Sequence, residues 1–372
     1  MSPLALLNYD ESILSLSNSF LKHYGISPAF KTLPELDRAL QQNKRNILFM
    51  IFDGMGTAVL KKHLASDSFL RKHLVRPIRS VFPPTTVAAT TTFFSALPPA
   101  AHGWLGWMCF FKAHRVAVEL FRGTNFYTHE KMEMPSTDKI LPYTSVLTQI
   151  HMRAPDVQTT EIFPRMIKPD GVDNLEQMQE RLQNIMQEQG RHFTLCYWTE
   201  PDASMHQKGP SSKEITPLVQ SINDFVERLS KTLSETQIIV SADHGQVDVS
   251  EEIYIDDYPE MKDCLACPLS LEDRSVFIFL KPGKKETFLA LFKKHFQGDF
   301  ILLSKEEVLK SMIFGQNKFN PTAKEFLGDY LMISICGKSV RQRLADGEKQ
   351  KAFKGSHSGL TPEEMNVPLI IV

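Results

Sequence analysis

The sequence predicts an α/β fold: a mostly parallel central sheet with helices on both faces, carrying a small inserted α+β cap. Three observations predict it. Apolar runs of strand length, of which Asn46 to Phe52 is the clearest, alternate with amphipathic helical segments, the pattern of strands buried on both faces. The strands near residues 52, 198 and 242 each lead into an aspartate: Asp53, Asp202 and Asp243. From about residue 258 that rhythm changes, and the acidic strand ends disappear.

Taken in order, residues 11–24 and 33–43 have helical apolar spacing and form an N-terminal cover. The 46–52 strand stops at Asp53-Gly54, and a helix bearing Lys61, Lys62 and His63 follows. Ile78 to Phe82 is a second strand. Pro83 and Pro84 end it, since proline offers no N–H and restricts the residue before it. A run of Thr and Ala then predicts a helix starting at or just after Thr85. Val116 to Phe121 is expected to be a further strand, with helix 144–152 and strand 157–163 continuing the alternation. Helix 174–189 precedes the strand Phe193 to Trp198, which ends in Thr199-Glu200-Pro201-Asp202. Helix 212–233 leads to Gln237–Ala242, which ends in Asp243-His244-Gly245.

Strands 275–280 and 299–303 and helices 284–296 and 304–313 make up the expected cap, residues 258–325. The catalytic domain is then 1–257 with 326–372, the main sheet resuming near Tyr330 to Ile335 and closing with Val367 to Val372.

The bulk properties narrow the function. A chain of 372 residues with 42% hydrophobic content and 25 Phe can fill a large core. Its net charge of −1 gives no electrostatic reason to expect a nucleic acid polymer or an anionic membrane as partner. No run reaches membrane-spanning length, and Met1 to Gly25 does not read as a signal peptide. Five cysteines in so long a chain argue against a disulfide framework, so a cytoplasmic setting is expected, and Cys264 and Cys267 form a lone pair of structural or adventitious character. Oligomeric state is not readable.

Thr86 stands where a helix begins, among unpaired backbone N–H groups at the positive end of the dipole. A hydroxyl there is an ordinary N-cap, the reading favoured when it is taken alone, and is also well placed as a nucleophile for a phosphate. Asp202 and His206 are four apart and share a face if a helical turn follows Pro201. Asp243 and His244 are adjacent and converge only in a turn, which Gly245 permits. His357 lies in a loop flanked by Gly355 and Gly359. Together with Asp53, these are hard-to-borderline ligands suited to zinc or manganese, enough for two metal ions in one cleft. His102, after two prolines and two alanines, is assigned to holding its turn, and Trp104 and Trp107 fit core and substrate cleft alike.

The motifs as a set resemble the alkaline phosphatase superfamily and, within it, the type I nucleotide pyrophosphatase/phosphodiesterase branch. Ile51-Phe52-Asp53-Gly54 is similar to the family's first metal-binding strand end, and Phe82-Pro83-Pro84-Thr85-Thr86 to its nucleophile segment. The Leu97-Pro98 to His102-Gly103 continuation aligns Thr86, rather than Thr85, with the nucleophile. Glu200-Pro201-Asp202 with His206 and Gly209-Pro210, Ser241 to Gly245, and Gly355 to Gly359 complete the likeness. The resemblance implies a two-metal phosphoric ester hydrolase working through a phospho-threonine intermediate on a small-molecule phosphate ester. Asp53, Thr86, Asp243 and His244 would hold one ion, and Asp202, His206 and His357 the other. Where the family commonly carries a phosphate-orienting Asn shortly after the nucleophile, this chain has Val87-Ala88-Ala89.

Two alternatives share the ligand set: a phosphomutase or phosphonate hydrolase on the same two-metal frame, and a metal-stabilised binding protein without turnover. No sulfatase-type nucleophile sequence occurs.

Overall fold

The computed structural model describes residues 3–372. Its main sheet has six strands in the order Leu74–Arg79, Asn366–Ile371, Thr236–Ser241, Asn46–Phe52, Arg191–Trp198, Val157–Ile162. Every residue of Asn46–Phe52 is buried, as its apolar run demands of a central strand. It pairs in parallel with Arg191–Trp198 on one side and Thr236–Ser241 on the other, and Arg191–Trp198 pairs in parallel with Val157–Ile162.

The helices fall into two packed groups. Ile13–His23, Thr86–Ser95 and Val146–Arg153 touch one another, while Thr57–His63, Phe69–Lys72 and Leu175–Gln187 gather around Thr216–Thr232. Phe49 shows how the first group docks: its ring meets Phe20 and Phe93, each at 5.1 Å between centroids. Burying one such ring stabilises the fold by about 1.5–3 kcal/mol.

The sheet is mixed rather than mostly parallel, which corrects the expectation. Asn366–Ile371 runs antiparallel to Thr236–Ser241, and Leu74–Arg79 antiparallel to Asn366–Ile371. The last strand is entered straight from the four-residue helix Pro362–Met365, with no crossover helix to turn it parallel. Leu74–Arg79 is an edge strand, with Pro77 set opposite Pro368 so that neither ladder position calls for an N–H.

A second, wholly antiparallel sheet has seven strands in the order Phe300–Ser304, Tyr330–Ser334, Ser275–Ile278, Ser270–Leu271, Met108–Phe111, Val116–Glu119, Thr124–Asn125. Val116–Glu119 and Tyr330–Ser334 therefore do not belong to the main sheet as expected. Val116–Glu119 follows Met108–Phe111 after a turn too short for a crossover, with Arg115 at φ 57°, so the two form a hairpin. The expected limits at 258 and 325 do not coincide with a sheet boundary, because strands from 108–125 and 330–334 complete the sheet. Among the described residues, no helix is long and apolar enough to cross a membrane.

Candidate metal centre

Three adjacent strands of the main sheet, Thr236–Ser241, Asn46–Phe52 and Arg191–Trp198, all end on the same edge. Open α/β sheets place ligands at such carboxyl ends. Asp53 follows Phe52 directly, Asp243 lies two residues past Ser241, and Asp202 opens the helix Asp202–Lys208.

Local structure aims each side chain. Gly54 takes φ +68°, a conformation that disfavours L side chains, and a Cβ there would come within 2.9 Å of Asp202 Cβ. The turn after Asp53 thus lets the ends of Asn46–Phe52 and Arg191–Trp198 approach. Asp243 Oδ1 accepts from the amides of Gly54 at 3.1 Å and His244 at 3.0 Å, which folds Asp243 and His244 toward each other beyond the strand. Gly245 is needed for closeness rather than for a special φ: a Cβ there would overlap the Glu363 carbonyl, and one on Gly56 would lie 2.6 Å from Gly245 Cα. Pro201 precedes the Asp202–Lys208 helix, and the four-residue spacing brings His206 Nε2 to 3.2 Å from Asp202 Oδ2. Glu200 anchors the start of that helix by accepting from the Ser204 amide and hydroxyl.

The three histidines share one arrangement. The Nδ1 atoms of His206, His244 and His357 lie 2.8, 3.1 and 3.1 Å from the carbonyls of Gly355, Gly245 and Pro84. Nε2 of each reaches a carboxylate: His244 lies 3.3 Å from Asp53 and 3.4 Å from Asp243, and His357 lies 4.0 Å from Asp202. A carbonyl on Nδ1 fixes the tautomer that leaves Nε2 free as a ligand, the usual support for a metal-binding histidine.

Thr86 joins the cluster. Its Oγ1 donates to Asp53 Oδ2 at 3.3 Å and lies 3.2 Å from His244 Nε2. Within residues 81–93 it alone is not buried. It is the first residue of the helix Thr86–Ser95, whose N-cap Thr85 makes no side-chain cap bond, so the first-turn amides carry no oxygen from that side chain.

The electrostatics call for cations. Burial raises the pKa of Asp53, and the charges of Asp243 and Asp202 raise it further. Asp243 is likewise raised, first by burial. Burial acts to raise Asp202, but the imidazoles of His206, His357 and His244 together outweigh it and hold the carboxyl low. His206 is raised by Asp202 against its burial, whereas burial and the neighbouring His244 push His357 well down.

The donor set fits divalent metal ions. Asp53 Oδ1 and Asp243 Oδ2 are sealed from solvent and make no hydrogen bond, an unfavourable state that a cation would relieve. Asp53, Asp243 and His244 form one group able to hold an ion; Asp202, His244 and His357 form another. His206 adjoins the second group through Asp202 and stands 5.1 Å, ring to ring, from His357. All seven residues singled out in the sequence meet in one cluster.

Other expectations resolve nearby. His102 holds its turn: it is 1% exposed, Nδ1 accepts from the Trp104 amide at 3.1 Å, and Nε2 lies 3.1 Å from Thr92 Oγ1. Val87, Ala88 and Ala89 are buried and apolar, so no side chain among them takes the place of the missing Asn. Trp104 Nε1 is held by the Leu141 carbonyl and Trp107 Nε1 by Glu119. Cys264 and Cys267 are free and belong to no metal-competent group among the described residues.

Sequence reasoning missed the supporting residues. Tyr197 Oη donates to Asp53 Oδ2, and Gln246 Nε2 donates to Asp202 Oδ1. Gln246 follows the Asp243-His244-Gly245 turn directly, a position that could have drawn notice.

A segment of the chain is 33% identical over 67 residues to bis(5'-adenosyl)-triphosphatase ENPP4 of Homo sapiens, and equally to that of Pongo abelii. That segment spans 16% of this chain and only 15% of those relatives. The fold is similar to that of murine ectonucleotide pyrophosphatase / phosphodiesterase 5, with TM-score 0.65 and 18% identity over 87% of each chain. It is also similar to phosphonoacetate hydrolase from Sinorhizobium meliloti 1021, with TM-score 0.64 and 15% identity over 88% of this chain and 90% of that one. The family model described as type I phosphodiesterase / nucleotide pyrophosphatase matches residues 47–358. The chain belongs to the type I phosphodiesterase / nucleotide pyrophosphatase family.

Proposed function

We propose that this protein is a two-metal hydrolase of phosphate esters, most suited to small diesters or pyrophosphates, with Thr86 as nucleophile. One observation carries the assignment: in an otherwise buried stretch, Thr86 alone is open, and its hydroxyl lies against Asp53 and His244. Asp53, Thr86, Asp243 and His244 would hold one divalent ion, and Asp202, His206 and His357 the other. Zinc suits the mixed imidazole and carboxylate donors, and manganese is the alternative. Bound ions would supply charge neutralisation at the phosphoryl and leaving oxygens and a lowered pKa for the Thr86 hydroxyl.

Thr86 Oγ1 loses its proton and forms the new bond to phosphorus as the ester oxygen departs, and a proton goes to that departing oxygen, giving phospho-threonine. Water then forms a bond to the same phosphorus as the bond to Thr86 breaks, and a proton of that water returns to the Thr86 oxygen. The amide of Thr86, at the start of the helix Thr86–Ser95, faces the phosphoryl oxygens, where the helix dipole favours negative charge. The nucleotide-directed names of the relatives support a nucleotide-like ester as the substrate class.

The near-equal fold similarity to phosphonoacetate hydrolase supports phosphonate hydrolysis as the second reading. The test is a panel of a nitrophenyl phosphodiester, a phosphomonoester, a dinucleoside polyphosphate and phosphonoacetate, run with chelator and metal add-back. Diester or pyrophosphate turnover should disappear with chelator and return with zinc or manganese. Thr86→Ala should lose ~1,000-fold or more in kcat with metal content unchanged. Full activity in Thr86→Ala removes the nucleophile assignment, and turnover of phosphonoacetate alone selects the second reading.

A further inference from the structure

Glu272 follows the Ser270–Leu271 strand of the second sheet and reaches across to the nucleophile segment. Its Oε1 accepts twice, from the Thr85 hydroxyl at 2.7 Å and from the Trp107 amide at 2.6 Å. Only 8% of Glu272 is exposed. The nearby arginines are engaged elsewhere, Arg274 with Glu364 and Arg341 with Glu252 and Asp273. Among the described residues the carboxyl therefore stands without an ion-pair partner, an arrangement that calls for another reason to bury it.

The backbone is shaped around this contact from both sides. Leu271 holds φ 95°, in the left-handed region that a leucine rarely adopts. Gly106 lies so close that a Cβ would meet Leu271 Cδ1 at 2.7 Å and Glu272 Oε1 at 3.2 Å. A larger residue at 106 would push the Trp107 amide off the carboxyl.

Thr85 gives the contact its meaning. A threonine at an N-cap ordinarily turns its hydroxyl onto the amides of the first helical turn. Thr85 is the N-cap of Thr86–Ser95 and makes no such bond, because its hydroxyl is committed to Glu272. That end of the helix, where the dipole favours negative charge, is where a phosphoryl oxygen would be received.

We propose that Glu272 is the positioning residue of the nucleophile turn: it holds Thr85 away from the helix amides, and with the Trp107 amide it locks the second sheet against Thr86. Glu272 acts through Thr85 and is not itself placed on the substrate. The inference rests on the reading of Thr86 as nucleophile.

The experiment uses the zinc-loaded 372-residue chain and the nitrophenyl diester. Glu272→Ala should lower kcat by about 10–100-fold with KM within about threefold and zinc content unchanged, since a displacement near 1 Å at a reacting group has that order of effect. Glu272→Gln keeps a carbonyl oxygen for both donors and should restore kcat to within about threefold of wild type. Thr85→Val deletes the hydroxyl at nearly constant volume; it should lose kcat like Glu272→Ala, and the double variant should be no worse than the poorer single one. If Glu272→Ala does not fold, Thr85→Val and Glu272→Gln decide the matter. The proposal is overturned if Glu272→Gln is as damaged as Glu272→Ala, if Thr85→Val keeps wild-type kcat, or if lost activity tracks lost zinc. Wild-type protein inactive on the whole panel defeats the hydrolase reading first; active wild type with unaffected variants defeats this inference alone.

Discussion

Tyr197 Oη donates a hydrogen bond to Asp53 Oδ2 from the neighbouring parallel strand, where Tyr197 lies in register with Ile51. Tyr197 is 4% exposed, and burial together with the Asp53 charge pushes its phenol pKa well up, so it remains a donor across the neutral range. The bond leaves Asp53 Oδ1 for another partner. Tyr197→Phe should weaken binding of one divalent ion by ~10-fold or more, the usual effect of removing such a support. Zinc titration of the chelated protein measures it. Unchanged affinity would mean that Asp53 is oriented by its backbone alone.

Arg274 and Glu364 form an ion pair in which both side chains are 0% exposed. Glu364 also accepts from the amides of Gly359 and Thr361 and from the Thr361 hydroxyl, and Ser275 Oγ donates to the Ser358 carbonyl. The pair therefore fastens the His357 loop to the second sheet. Arg274→Met strands a buried carboxylate and should cost about 3–5 kcal/mol in urea unfolding. Adding Glu364→Leu should recover part of that, but not all, because the Gly359 and Thr361 donors then lose their acceptor. A single replacement that costs under ~1 kcal/mol would contradict this account.

The cluster was legible because its ligands sit where chain chemistry changes abruptly: Asp53 after seven buried strand residues, Asp202 after Pro201, Asp243 before His244-Gly245. The parallel half of the main sheet was legible for the same reason, since continuous apolar runs leave few alternatives. The antiparallel sheet was not. Met108–Phe111 and Val116–Glu119 are four residues each, too short for a period to declare itself, and the pairing of Met108–Phe111 with Ser270–Leu271 spans more than a hundred residues. Glu272 and Tyr197 were invisible for a related reason: each matters through a single contact made across elements, and no spacing along the chain encodes it.

Removing the metals should destabilise the protein measurably. Three carboxylates and three imidazoles converge with two carboxylate oxygens sealed and unpartnered. A ligand that binds only the folded chain adds about 4 kcal/mol when present at 1,000 times its Kd. Chelation should therefore lower the melting midpoint by several degrees, and zinc or manganese should restore it while magnesium restores less. Thr86→Ala should follow the same curve, since six of the seven donors remain. A midpoint indifferent to chelator would refute metal binding at this site.

Glu272 gives a pH dependence of definite sign. Burial raises its pKa from 4.5 to about 8, against the lowering effect of its bonds to Thr85 and Trp107. Between those values the folded chain holds a proton that the unfolded chain has released. The resulting stability is complete below about pH 4.5 and is lost as pH rises through about 8. The slope inside the window is at most roughly 1.4 kcal/mol per pH unit. Glu272→Gln cannot titrate, so the stability of wild type minus that of Glu272→Gln isolates this group from the metal cluster. That difference, measured by urea unfolding with saturating zinc in both proteins, should fall steadily from about pH 5 to about pH 8 and then level off. A difference that is flat across the range, or that rises with pH, would show that Glu272 is ionised in the folded protein and that a cation compensates it.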